Sequence, residues 1–302
     1  MIDEVETIMG SGIRLSNLLL FAVLGEYVAE RAGTINISLE GMMLGGAYAA
    51  ALGTSETGSP VVGILCGMVA GLLVAFAQAH LSHNLDANQF VVGIALSTLV
   101  LGLTTFLFIE IDMVVTRIGV LEIPLISSIP MIGQALFAQR WLGYVTFGLV
   151  PAVWWLVHRT NWGLEIRSVG ENPTAADASG VPVLKRRRQA IYLSGALGGL
   201  SGAYLAVSLV GAFSQNMTAG KGFIAISAVL FGGWRLKGVV GGAILFGFAD
   251  ALRVALPAIG VKDVPGPFLD SFPFLLALIG LLVFANQAKK PAALAQPFVR
   301  RS

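Results

Sequence analysis

Long apolar stretches alternate with short polar breaks along this chain. They fall at about 13–28, 34–52, 61–81, 90–109, 144–157, 189–210, 239–256 and 268–285. At a rise of about 1.5 Å per residue, about 20 apolar residues of helix cross the hydrocarbon core of a bilayer. The pattern therefore predicts about eight full spans. A further apolar run, 222–233, has only about 12 residues, too few for a regular crossing. It predicts a short re-entrant or broken helix, which lipid tolerates only where protein or a wet cavity covers its backbone. Residues 110–142 mix polar and apolar positions and include Pro124 and Pro130, so they read as an irregular external loop. The Pro- and Gly-rich PAIGVKDVPGP links the last two spans.

Composition agrees with lipid as the main solvent. The chain of 302 residues is 56% hydrophobic and 12% charged, whereas a soluble domain carries about 25% charged residues. The expected fold class is all-α, a polytopic transmembrane helical bundle forming one domain over 1–302. Small residues recur four apart, as at Gly41 and Gly45, Gly67 and Gly71, Gly195 and Gly199, Gly198 and Gly202, and Gly238 and Gly242. Such spacing lets helix backbones approach closely in lipid. The single Cys66 excludes an intrachain disulfide. The N-terminal MIDEVETIMGSG has no basic residue before Arg14, unlike a cleavable signal peptide.

The placement of charge predicts orientation. Arg159, Arg167, Lys185, Arg186, Arg187 and Arg188 make a basic loop over 159–188, and the C-terminal tail carries Lys289, Lys290, Arg300 and Arg301. Basic loops face the cytoplasm, so this loop and the C-terminus are expected inside and the acidic N-terminus outside. Arg235 and Lys237 follow the short apolar run, which must then reach the cytoplasmic side from a partly buried position. Within the basic loop, ENPTAADASG carries start and stop signals for a helix of about two turns. Asn172 can cap it, Pro173 suits the first helical position, Ala175, Ala176 and Asp177 continue it, and Gly180 can close it in the left-handed conformation. The same spacing fits an amphipathic connector on the membrane surface.

Polar residues inside apolar stretches are the candidate chemistry. Asn36 and Glu40 lie four apart on one helix face, and a carboxylate in a span is costly unless paired or wet. Asn36 could satisfy Glu40, and so could N–H groups freed by a helix break near Gly33. The pair reads either as a groove or gate lining or as an internal tie. Asp250 and Arg253 read as a structural tie. Ser97, Thr104 and Thr105 lie on roughly one face with Gly93, and hydroxyls there can equally bond their own backbone carbonyls. Asn216, Thr218 and Lys221 sit at the outer end of the sixth span. AGKG at 219–222 lacks the remaining residues of a phosphate loop. His80, His83 and His158 form no metal-ligand grouping, and no nucleophile elbow or intramembrane protease dyad occurs. Asn36-Ile-Ser38 and Asn216-Met-Thr218 match the glycosylation pattern but lie in or at the edge of a span.

Three blocks carry a family resemblance: GEYVAERAGTINISLEGMMLGGAYAA (25–50), VGENPTAADASGVPVLKRRRQAIYLSGALGGLSGAYLA (169–206) and QNMTAGKGFIAISAVLFGGWRLKGVVGGAILFGFADAL (215–252). The chain resembles the permease subunit of a binding-protein-dependent ABC importer, in the branch of branched-chain amino acid, simple sugar and nucleoside systems. The INISLEG form is most similar to nucleoside-type members. GGWRLKG departs from relatives, which often have an uncharged turn there. The resemblance implies a multi-pass protein of the cytoplasmic membrane. It implies that Glu171, Asn172, Pro173, Ala175, Ala176, Asp177 and Gly180, within the 159–188 loop, form a coupling helix that docks on a separate ATPase subunit. It also implies a second permease chain, the same or paralogous, and an extracytoplasmic substrate-binding protein. No cofactor is expected on this chain, ATP and Mg being used by the ATPase, and no nucleic acid partner is expected. Asn36, Glu40, Ser97 and Asn216 are the candidates for pathway or gate. Simple-sugar or branched-chain amino acid cargo is the nearest alternative. An ion-coupled secondary transporter would instead use carboxylates such as Glu40 and Asp250, and would leave the capped helix without a role.

Overall fold

The computed structural model describes residues 2–111, 113–122, 136–258, 265–284 and 289–298. Pro124 and Pro130, most of the PAIGVKDVPGP link, and Arg300 and Arg301 lie outside the described residues. The first half contains α1 (Ile2–Arg31), α2 (Leu39–Thr57), α3 (Pro60–His83), α4 (Gln89–Glu110), the strands β1 (Val120–Glu122) and β2 (Ala138–Arg140), and α5 (Trp141–Arg159). The second half contains α6 (Asn161–Glu171), α7 (Pro173–Ala178), α8 (Val183–Ala203), α9 (Lys221–Phe231), α10 (Leu236–Ala258) and α11 (Gly266–Phe284). A π-helical stretch, Tyr204–Val210, prolongs α8 until Gly211 turns left-handed at φ 74°.

Among the described residues, five helical segments are long and apolar enough to cross a membrane: Ile8–Arg31, Pro60–His83, Gln89–Ile109, Trp141–Arg159 and Val183–Val210. The expected count of about eight is not confirmed. The second expected span shows one reason. Its helix, α2, starts at Leu39 rather than Thr34 and is rich in Gly, Ala, Ser and Thr. Most of its residues are buried by other helices, so protein covers a surface that lipid would otherwise demand be apolar. The short run is a helix of 11 residues, α9, which at 1.5 Å per residue covers about half of a bilayer core.

The centre is built by close approach. Helix α8 packs against α1, α2 and α3, and α10 packs along α1. A Cβ on Gly199 would collide with the Gly67 carbonyl oxygen, and one on Gly202 would collide with that of Met43. The small-residue spacing in α8 is thus used where three backbones meet. The periphery carries the opposite pattern. Val61, Leu65, Val69, Leu73 and Phe76 form an exposed apolar stripe along α3, the surface expected against lipid.

A two-stranded antiparallel ladder pairs Val120 with Arg140 and Glu122 with Ala138. It departs from the all-α expectation, and it occupies part of the region expected to be irregular. The ladder lies near the π-helical stretch, where Ile118 N donates to Val207 O at 3.3 Å. The basic segments gather at the other end of the bundle. There Ala293 N donates to Gly170 O at 2.9 Å and Ala295 N to Gly33 O at 3.0 Å, fastening the 289–298 segment to α6 and to the end of α1.

Candidate functional site

An elbow of two short helices projects at the basic end. The Thr160 hydroxyl oxygen accepts from Gly163 N at 3.0 Å and starts α6. Asn172 is extended at φ −149°, which ends α6, and its side-chain oxygen accepts from Ala175 N at 3.0 Å to cap α7. Gly180 takes φ +84° just past the helix. Caps and closing residue are those expected from ENPTAADASG; the preceding helix α6 was not expected. Glu171, Asn172 and Ala175 are exposed, whereas Ala176 is buried with Val169 and Val183 in a small core of its own. Ala176 therefore holds the elbow together and does not face outward.

The C-terminal segment completes this surface. A groove of about 730 Å³ runs between Glu171, Pro173 and Asp177 on one side and Ala293, Gln296 and Phe298 on the other. Arg187, fully buried, donates from Nη1 to Gln296 O at 2.7 Å. One residue of the basic run thus points inward to fix the tail, while Arg186 pairs with Glu165.

The second candidate region is the meeting point of α2 and α9. Glu40 does not bond Asn36. Its Oε1 accepts from Thr218 Oγ1 at 2.5 Å and from Gly220 N at 2.9 Å, and its Oε2 accepts from Gly222 N at 2.6 Å. The carboxylate thus caps α9 from another helix, where the positive end of the helix dipole favours an anion. The expectation of freed N–H groups is met at the start of α9 and not at Gly33. Asn36 is fully buried and donates from Nδ2 to Ser194 Oγ at 3.0 Å, while its backbone N donates to Glu26 Oε1 at 3.0 Å. Ser97 donates to Ile37 O at 3.3 Å, and Gly41 faces the Ser97 backbone. Asn216 is exposed, in the left-handed region at φ 53°, within the turn that leads to Thr218. Glu40 and the Asn216 turn are therefore neighbours, Ser97 lies on the other side of the α2 start, and Asn36 belongs to a separate buried network. Thr104 bonds its own helix through Val100 O at 2.8 Å.

Two buried carboxylates escaped sequence reasoning. Glu26 and Glu30 are buried, at 0% and 1% exposure, although they stand at the end of the first apolar stretch. Ser194 Oγ donates to Glu26 Oε2 at 3.4 Å, and the Trp234 indole N–H donates to Glu30 Oε2. Their spacing of four, one face of a helix, was the available signal. Lys221 is also buried, with Nζ 3.3 Å from Asp250 Oδ2, and Arg253 Nε lies 3.5 Å from Asp250 Oδ1.

Comparison with known proteins places this architecture in a family. Residues 8–285 match the model described as branched-chain amino acid transport system / permease component, and the chain belongs to that family. It is 34% identical to the nucleoside ABC transporter permease protein NupC of Lactococcus lactis subsp. cremoris, over 97% of this chain and 96% of the relative. It is 33% identical to the guanosine ABC transporter permease protein NupQ of Bacillus subtilis, over 93% of each chain. A Haloferax volcanii protein named "Putative glucose ABC transporter permease protein TsgC13" is 36% identical over 97% of each chain.

Proposed function

We propose that this chain is the membrane-embedded permease subunit of an ATP-driven importer and that its cargo is a nucleoside. The observation that carries the reading is near-full-length likeness to NupC and NupQ, both named for nucleoside or guanosine transport. Sugar cargo is the second reading, favoured by similar identity to TsgC13. In this proposal α1, α2, α3, α4, α5, α8, α10 and α11 supply about eight spans and α9 is the broken element. The basic end, with the elbow and the tail, faces the cytoplasm.

The exposed side of α7 docks on an ATPase subunit, which holds ATP and Mg and hydrolyses the nucleotide. Glu171, Asn172, Pro173, Ala175, Asp177 and Gly180 shape that surface, with Ala176 as its internal anchor. Closure of two ATPases moves this chain and a second permease, the same or paralogous, between outward and inward access. An extracytoplasmic binding protein delivers the solute. Glu40, Ser97 and Asn216 border the path around the start of α9, and Asn36 ties the approach to α2 to α1 and α8 beside it.

Uptake of labelled nucleosides, with and without this chain, tests the reading. Uptake should require the chain and ATP, survive collapse of the proton gradient, and be blocked by unlabelled nucleosides but not sugars. Competition by a sugar instead would transfer the cargo to the second reading. Uptake that follows the gradient while ATP remains would overturn the importer.

A further inference from the structure

The departure GGWRLKG forms the α9–α10 turn, and it opens onto a pocket with no part in the scheme above. The pocket has a volume of about 640 Å³ and lies between the end of α1, α5 and this turn. Its walls include Arg31, Arg235 and Lys237, with Tyr27, Trp154 and Trp234. Among the described residues none of the three cations is in an ion pair, and no carboxylate lines the pocket. Arg31 Nε is buried with no hydrogen-bond partner among the described residues. Glu30 is turned away, buried behind Trp234 and bonded to its indole N–H. That bond fixes a tryptophan held in the left-handed region at φ 55°, a conformation unusual for a bulky residue.

Three cations brought together without an anion of their own repel one another and favour an anionic occupant. The surroundings indicate which kind. Trp154 is 43% exposed and Trp155 59% exposed on α5, and Arg159 stacks over Trp154 at 5.4 Å. Tryptophans beside arginines at a helix end mark the headgroup level of a membrane. Basic pockets between helices at the cytoplasmic level bind lipid headgroups. A nucleoside carries no phosphate, so the pocket does not suit that cargo.

We propose that this pocket binds the phosphate of an anionic phospholipid in the inner leaflet, with Arg235 and Lys237 as its outer grips and Arg31 as its inner one. The proposal rests on the membrane placement of the chain, and not on its cargo. Native mass spectrometry of the full chain in mild detergent tests it, with phosphatidylglycerol and phosphatidylcholine added at equal concentration. Retained phosphatidylglycerol should exceed phosphatidylcholine and should fall at least about fivefold in the double variant Arg235→Gln, Lys237→Gln. A charge-matched control, Lys289→Gln with Lys290→Gln, removes two exposed cations elsewhere and should retain the lipid. The two single variants Arg235→Gln and Lys237→Gln should each give a partial loss, which keeps the test open if the double variant folds poorly. Equal retention of both lipids, or equal loss in the pocket and control variants, would overturn the proposal. So would full displacement of phosphatidylglycerol by millimolar inorganic phosphate, which would make this a site for a soluble anion.

Discussion

Glu40 joins two helix starts with one side chain. It lies in the first turn of α2 and accepts from Thr218, Gly220 and Gly222 at the start of α9. Hydrogen bonds to a charged group contribute about 1.5–3 kcal/mol each, and glutamine at this position would set an NH₂ group against one of the donors. Glu40→Gln should therefore lower thermal stability in detergent by more than Thr218→Val, which removes a single donor. Equal melting of Glu40→Gln and the parent would show that the contacts are energetically idle. Gly222 gives a steric companion to this test. A Cβ there would stand 2.6 Å from the Glu40 backbone, so Gly222→Ala should displace α9 and reduce uptake even where the chain still accumulates in the membrane. Neither role was legible in the sequence, because the partners are about 180 residues apart and only the carboxylate's cost in a span pointed to the site.

The elbow was far more legible, since its signals are local. Asn172, Pro173 and Gly180 act through backbone groups within a few residues, and the caps follow from residue type alone. The inward turn of Ala176 was not legible, because its neighbours Val169, Val183 and Phe298 come from three segments. This difference separates two substitutions that the sequence treats alike. Ala175→Trp adds bulk to an exposed position and should weaken co-purification of the ATPase while leaving the melting of the permease unchanged. Ala176→Trp overpacks the small core and should lower the melting temperature, overpacking costing about 1–3 kcal/mol. Asn172→Ala removes a cap worth about 0.5–2 kcal/mol and should increase proteolysis at the elbow. If Ala175→Trp melts early and binds the ATPase normally, α7 is not the docking element.

At the scale of the whole molecule, the chain's far end holds its middle in place. The 289–298 segment bonds to Gly33 and Gly170, and Arg187 reaches it from the start of α8. Three regions remote in sequence are thereby fixed behind the elbow, and the groove beside α7 has the tail as its second wall. The periodicity that exposed the spans could not reveal this, because the tail is neither apolar nor long. Arg187 reads in the sequence as one of four consecutive basic loop residues, and the tail carbonyl that accepts from it at 2.7 Å is 109 residues away. Removing the tail should leave the guanidinium buried without its acceptors, a strongly unfavourable state. Deletion from Pro291 onward should therefore destabilise the chain, and Arg187→Met should restore part of the loss in the shortened protein while destabilising the full-length one. A double-mutant cycle on melting temperatures measures this coupling. Additive effects of the deletion and Arg187→Met would mean that the tail rests on the bundle without being held by it, and that the elbow is positioned by α6 and α8 alone.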